Sequence, residues 1–157
     1  MDLYSRPAVV LAAVALMAAP LLMAADAPGP MQPEQIKWGP APPTLVKGAE
    51  LAVLAGDPAS AGPVTLRLKL PAGYVIAPHW HPTDERVTVI SGHLGLGMGD
   101  TLDKQKSVVL KPGGYAVAGA KMHHFAWTKS GAIVQVDLMG PFAITYVNPA
   151  DDPSKKN

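Results

Sequence analysis

From Glu50 onward the apolar positions of the chain recur every second residue. Val64, Leu66, Leu68 and Leu70 form one stripe, with Thr65, Arg67 and Lys69 set between them. Val87 and Val89 alternate with Thr88 and Ile90, and positions 133–138 and 143–147 are rich in β-branched residues. A period of two is that of a strand with one face in a core. Turn-forming runs interrupt the pattern at Pro71-Ala72-Gly73, Ser91-Gly92, Gly99-Asp100, Pro112-Gly113-Gly114, Ser130-Gly131 and Gly140-Pro141. They fall at strand-plus-turn spacing. No window of useful length carries the 3.6-residue period of an amphipathic helix. Short strands separated by regular turns predict an all-β domain, a sandwich or a small barrel.

The ends of the chain read differently. A short polar start, Met1 to Arg6, precedes positions 7–25, which are uncharged and dominated by Ala, Val, Leu and Met. Small residues close this run at Ala24, Ala25 and Ala27, the layout of a cleaved signal peptide over 1–25. A cut after Ala25 puts Met23 three residues upstream. A cut after Ala27 has the better Ala-x-Ala pattern but leaves Pro28 next. An uncleaved anchor is the alternative, since the apolar run nearly reaches the length of a bilayer span. Pro20 and the alanine content weigh against it, and no stable span is expected after cleavage. Positions 26–46 form a Pro/Ala-rich lead-in, with Trp38 as a possible anchor on the domain or on a neighbouring subunit. The barrel domain is expected over 47–150, and 151–157 is a polar tail expected to fray.

Composition narrows the chemistry. With 13 Lys+Arg against 12 Asp+Glu the formal charge is +1, too balanced for a nucleic-acid footprint. The chain has no Cys. This excludes disulfide scaffolds, thiolate nucleophiles, iron–sulfur clusters, Cys-type zinc sites and a lipoprotein anchor. An exported protein without cysteine fits a periplasmic or secreted location.

All 5 His lie between positions 79 and 124. His79 and His81 are two apart, so on a strand they share a face, about 6.6 Å apart along the backbone, with Trp80 directed the other way. Glu85 follows Pro82-Thr83-Asp84, a run that can turn the chain and return the carboxylate beside the imidazoles. Two imidazoles and a carboxylate on one face suit a first-row divalent metal. An isolated His-x-His is more often two polar residues on an exposed strand, so the surrounding spacing matters.

That spacing is Gly73, five residues, His79-x-His81, three residues, Glu85, six residues, Gly92. It resembles the first sequence motif of the cupin superfamily at every defining position. A second cupin-like segment runs from Leu110 through Pro112-Gly113 to His123-His124. Registered from Pro112-Gly113, the resemblance places His124 as the third histidine ligand. The segment departs from the family pattern at Gly119 and Lys121, and the usual downstream Asn is absent. His123 is the alternative if the register slips by one, and only one of two adjacent strand residues can face the metal. The resemblance spans about residues 47–147. It implies a double-stranded β-helix, a small jelly-roll barrel of two antiparallel sheets, holding one divalent metal through His79, His81, Glu85 and His124. Imidazole and carboxylate donors without sulfur suit Fe, Mn, Ni or Zn.

Other residues carry weaker indications. His93 follows the motif and reads as a surface or strand-end residue. Gly95, Gly97 and Gly99 lie outside any strand–loop–helix unit and indicate close packing or a bend, not a nucleotide loop. Trp80, Phe125 and Trp127 are candidate pocket walls or plain packing residues. Gln135 and Tyr74 are candidate pocket residues; Gln135 contributes only if the face it shares with Asp137 and Met139 is interior. Tyr74, Tyr115 and Tyr146 are candidate acid–base groups. No serine elbow or phosphate loop is present, so a metal is the principal catalytic group to consider.

In an octahedral complex four protein ligands leave two positions open, and the positive centre would polarise a carbonyl or stabilise an enolate. The resemblance implies a small metal-dependent oxidoreductase of dioxygenase type acting on a small oxygen-rich molecule. A metal- or ligand-sensing cupin of the cell envelope and a metal-dependent lyase or isomerase are the alternatives. It also implies a homodimer.

Overall fold

The computed structural model describes residues 29–156. The expected signal peptide and the first residues of the lead-in lie outside the described residues. Eleven strands run in the order β1 (Gly39–Pro40), β2 (Glu50–Ala55), β3 (Gly62–Leu70), β4 (Val75–Trp80), β5 (Glu85–Gly92), β6 (Leu94–Met98), β7 (Val108–Leu110), β8 (Tyr115–Ala118), β9 (His124–Trp127), β10 (Ala132–Gly140) and β11 (Thr145–Tyr146). Short 3-10 turns are the only helical elements among the described residues. No helix among them is long and apolar enough to cross a membrane.

The strands form two antiparallel sheets. One has the order β1-β2-β3-β10-β5-β8, the other β11-β4-β9-β6-β7. The alternation read from the sequence sets which side chains meet between them. Val64, Leu66, Leu68 and Leu70 of β3 lie opposite Leu138, Val136, Val134 and Ala132 of β10, and all eight are buried. The facing sheet adds Ile76, Leu94, Leu96 and Ala126 to the same core. Leu66 is fully buried, so truncating it to alanine would cost about 2–5 kcal/mol. This is the double-stranded β-helix expected of a cupin.

The outer face of the second sheet explains two of the glycines. Gly95 lies opposite Trp127 and Gly97 opposite Phe125. Each ring lies over its glycine, so a Cβ built on Gly97 would stand 2.2 Å from Phe125 Cζ. Trp127 and Phe125 are therefore outer-face packing residues rather than walls of the inner cavity. Trp127 is held further by a 2.9 Å hydrogen bond from its indole N–H to Ser107 Oγ.

The ends are more ordered than their composition suggests. β1 adds to the first sheet through β2, and Leu45 and Ala49 enter the core. Trp38 lies under the Lys69 ammonium of its own chain, 5.7 Å from the ring centre. The segment 143–147 contributes only the two residues of β11 to a sheet. Local hydrogen bonds run into the tail. Asn148 and Asp152 accept hydrogen bonds from Ala150 N and Ser154 N, capping two successive 3-10 turns. Pro149 and Pro153 follow these caps, where the missing N–H costs nothing.

Candidate metal centre

Four polar side chains are buried together between the sheets: His79, His81, Glu85 and His124. Three come from the second sheet and its margin. His79 on β4 lies opposite His124 on β9, and His81 follows the end of β4. Glu85 opens β5 in the facing sheet, where its inward position continues as Val87 and Val89. A register shift between Ile76 and His79 in the β4–β9 ladder makes this convergence possible. Strict alternation would put Ile76 and His79 on opposite faces; the irregularity turns both inward.

The ring centres are 4.2 Å apart for His79 and His124, 5.0 Å for His79 and His81, and 5.3 Å for His81 and His124. One ring nitrogen from each can be chosen so that all three lie within 4.8 Å of one another. Backbone carbonyls orient all three rings. Nδ1 of His79 lies 2.8 Å from Ala77 O, that of His81 2.7 Å from Ala143 O, and that of His124 3.0 Å from Met122 O. A carbonyl oxygen can only accept, so each Nδ1 carries the proton and each neutral ring presents a bare Nε2 lone pair.

Two of those lone pairs, on His81 and His124, face a carboxylate. Glu85 Oε1 is 3.6 Å from His81 Nε2 and Oε2 is 3.3 Å from His124 Nε2. Both Nε2 atoms are buried without a hydrogen-bond partner. Lone pairs converging on an anion in a buried space need a cation among them, a proton or a metal ion. The residues therefore fit a divalent metal, with imidazole Nε2 and carboxylate oxygen as donors.

The protonation states agree with that reading. Burial, reinforced by the charges of His124 and His81, pushes His79 down to about 3, so it stays neutral and ligand-ready. Burial alone would raise Glu85, but His124, His81 and His79 outweigh it, and the group is held below the ordinary carboxylate value. Burial would lower His124, but the Glu85 carboxylate beside it wins and raises it.

The remaining candidates fall elsewhere. His123 is half-exposed, with Nδ1 2.6 Å from Asp100 Oδ1; His124 is the member of the pair that faces Glu85. Gln135 lies on the outer face of the first sheet. Its neighbours Val134 and Val136 take the interior, and its amide meets Arg67 and Asp137 at 3.3 Å. It is not a pocket residue. Tyr74 is buried, but its hydroxyl donates to Val46 O rather than entering the site. Tyr146 donates to Thr44 O at 2.7 Å, and Tyr115 is exposed. Burial pushes Tyr74 up to about 12 and raises Tyr146 further, which suits neither for proton transfer near neutrality. His93 is exposed, as expected.

Sequence reasoning missed two neighbours. Phe142 stacks on His81 with centres 5.7 Å apart and planes at 27°. Met98 lies directly opposite His124 on β6. Phe142 has no readable motif, because it arrives on a turn. Met98 could have been found by counting back from the glycine positions. The inner cavity beside His79, Glu85 and His124 measures about 30 Å³ and is otherwise lined by core residues such as Leu96, Val87 and Val136. That is room for about one or two waters.

Solved structures of similar fold include the polyketide cyclase RemF from Streptomyces resistomycificus. It aligns with a TM-score of 0.67 at 16% identity, over 81% of this chain and 90% of that one. The DMSP lyase DddQ from Ruegeria pomeroyi DSS-3 aligns at 0.58 and 19% identity, over 73% and 62%. An oxalate oxidase aligns at 0.52 and 22% identity, over 69% and 60%. At these identities the likeness is one of fold. No curated protein matches the chain in sequence. Residues 26–145 match the family described as Domain of unknown function (DUF4437); the chain belongs to that family, and its fold is that of the cupins.

Proposed function

We propose that the chain is an exported mononuclear metalloenzyme acting on a small molecule. One divalent transition metal would be held by His79, His81 and His124, with Glu85 as the fourth donor. The observation that carries this reading is the set of three clustered imidazoles whose Nδ1 atoms are fixed by backbone carbonyls, with the Nε2 atoms of His81 and His124 facing one buried carboxylate. A bound metal supplies a positive centre that polarises a substrate oxygen and, for Fe or Mn, an electron-transfer partner for O2. The chain's own residues do the rest. Ala77, Ala143 and Met122 carbonyls hold the rings in one tautomer, which fixes ligand direction. Glu85 stays ionised and offsets the positive charge. The apolar walls exclude bulk water and strengthen the electrostatics inside.

Dioxygenase-type oxidation is the first reaction class, because the all-nitrogen and oxygen donor set suits Fe and Mn. A lyase or cyclase reaction is the second. It is favoured by RemF, which aligns over most of both chains and is a cyclase, and by DddQ, a lyase.

The test is metal analysis of the chain from Asp26, beside His81→Ala. Near-stoichiometric Fe or Mn, lost in the variant, with O2 consumed on enolisable substrates, is the expected result. Zn or Ni without O2 consumption would move the reading to lyase or cyclase chemistry. Metal without turnover of any substrate would leave a binding module. A folded protein that takes up no metal would refute the site.

A further inference from the structure

The inner cavity of about 30 Å³ cannot hold an organic substrate. A larger space adjoins it. β7 and β8 are the outermost strands of the two sheets on the same side of the barrel, joined by the tight turn at Lys111–Gly114. They leave a groove of about 340 Å³, lined by Leu96, Met98, Val108, Leu110, Tyr115 and Ala116, with Lys106 at its rim. That volume lies within the range of small-molecule pockets.

Three observations join this groove to the candidate metal centre. Leu96 lines both spaces. Met98 lies directly opposite His124 across the β6–β9 ladder; Ala118, two residues on from the lining residue Ala116 and on the same face of β8, lies directly opposite Glu85 across the β5–β8 ladder. Directly opposed residues of an antiparallel pair project from the same face. Met98 and Ala118 therefore stand beside two of the four buried polar groups at the two sheet margins. Met98 remains 47% exposed and has no β7 partner, because the β6–β7 pairing runs only from Leu94 to Leu96. At this margin of the second sheet the residue beside His124 is a flexible thioether with no strand paired outside it.

We propose that this groove is the substrate's binding site. It would hold an apolar aromatic or alicyclic body, with an oxygen of the same molecule directed past Met98 to the metal. The proposal rests on the metalloenzyme reading and refines its substrate class from oxygen-rich to apolar-bodied. Leu96 divides the two spaces, and Met98 sets what passes between them.

The probe is 2-naphthoate, followed by saturation-transfer NMR on the chain from Asp26, metal-free and loaded with Mn(II). Binding is expected in both states, and Mn(II) should broaden the ring protons of the bound probe. Met98→Glu places a charge in the groove at an exposed position, where the fold tolerates it, and should weaken binding by about tenfold or more. Val109→Glu, exposed on β7 but outside the lining, should leave binding unchanged. Failure of the probe to bind would overturn the proposal. So would equal affinity in Met98→Glu, or bound probe that Mn(II) does not broaden. A dimer disrupted by Met98→Glu, without probe binding, would show the groove to be an interface between copies. If the protein takes up no Mn(II), the metal reading fails, and the two affinity comparisons still decide the groove.

Discussion

Gly97→Ala joins backbone packing to the candidate site. The new Cβ would stand 2.2 Å from Phe125 Cζ and 2.7 Å from both Cε atoms, where ordinary contact begins near 3.4 Å. The ring must retreat by more than 1 Å. It is 1% exposed and pinned on a short strand, so the motion is resisted. If the sheet yields locally, the cost is that of overpacking, about 1–3 kcal/mol. If the ring is expelled, the cost approaches the ceiling for losing a buried phenyl group, about 3–5 kcal/mol. For a folded unit of this size the lower range corresponds to a Tm drop of roughly 4–11 °C. Phe125 adjoins His124, so a displaced ring also shifts a candidate ligand, and metal affinity should fall along with Tm. The assay is thermal unfolding by circular dichroism of wild type, Gly97→Ala, Phe125→Ala and the double variant. Because both substitutions act on one contact, the double variant should lose less than the sum of the singles. An unchanged Tm in Gly97→Ala, or strict additivity, would refute the ring-over-glycine packing.

Four further outcomes follow from the site. His124→Ala should remove most of the bound metal, whereas His123→Ala breaks only the half-exposed contact to Asp100 and should keep it; metal analysis of both decides. Tyr74→Phe should cost about 1 kcal/mol in urea unfolding by leaving Val46 O without its donor, with metal content unchanged. Metal at a hundred times its Kd should stabilise the wild type by about 2.7 kcal/mol, and the shift should vanish in His81→Ala. The metal-free protein should be most stable near neutral pH. His79 is held down to about 3, so its contribution is complete above the ordinary histidine value of 6.5 and is lost as pH falls below it. For one proton the slope is at most about 1.4 kcal/mol per pH unit. Glu85, also lowered, adds to the loss below its ordinary 4.5. His124, raised, contributes in the opposite sense and weakens as pH climbs above 6.5. Urea midpoints across this range that show no acid-side decline would refute a buried neutral His79.

The strands were legible where one face is continuously apolar. The Leu66 stripe and its partner Val134-x-Val136-x-Leu138 place every side chain of β3 and β10 by parity alone. The same parity puts Gln135 outside, since its neighbours Val134 and Val136 claim the interior; reading it as open to either face gave too little weight to the apolar flanks. In the tail the local turns follow from residue pairs, not from composition. Asn148-Pro149 and Asp152-Pro153 are two cap-and-proline pairs, and their local hydrogen bonds order a polar segment that general polarity would leave loose. Tyr74 could not be placed from the sequence because its partner, the Val46 carbonyl, is a backbone group 28 residues away.

The site shows the limit of parity most clearly. Around β4, Tyr74 just before it and Ile76 within it fall on even positions, His79 within it and His81 just after it on odd ones, yet all four are buried. Regular pleating would expose one pair or the other, and only the irregularity between Ile76 and His79 reconciles them. Motif spacing identified the histidines because it already contains that extra residue; hydrophobic alternation could not. What neither source reveals is the second layer of support. The carbonyls that fix each tautomer belong to Ala77, Met122 and Ala143, whose side chains have no bearing on the role. A backbone carbonyl is present at every residue, so its selection depends on chain path alone. The metal donors are written in residue identity, and their orientation is written in the fold.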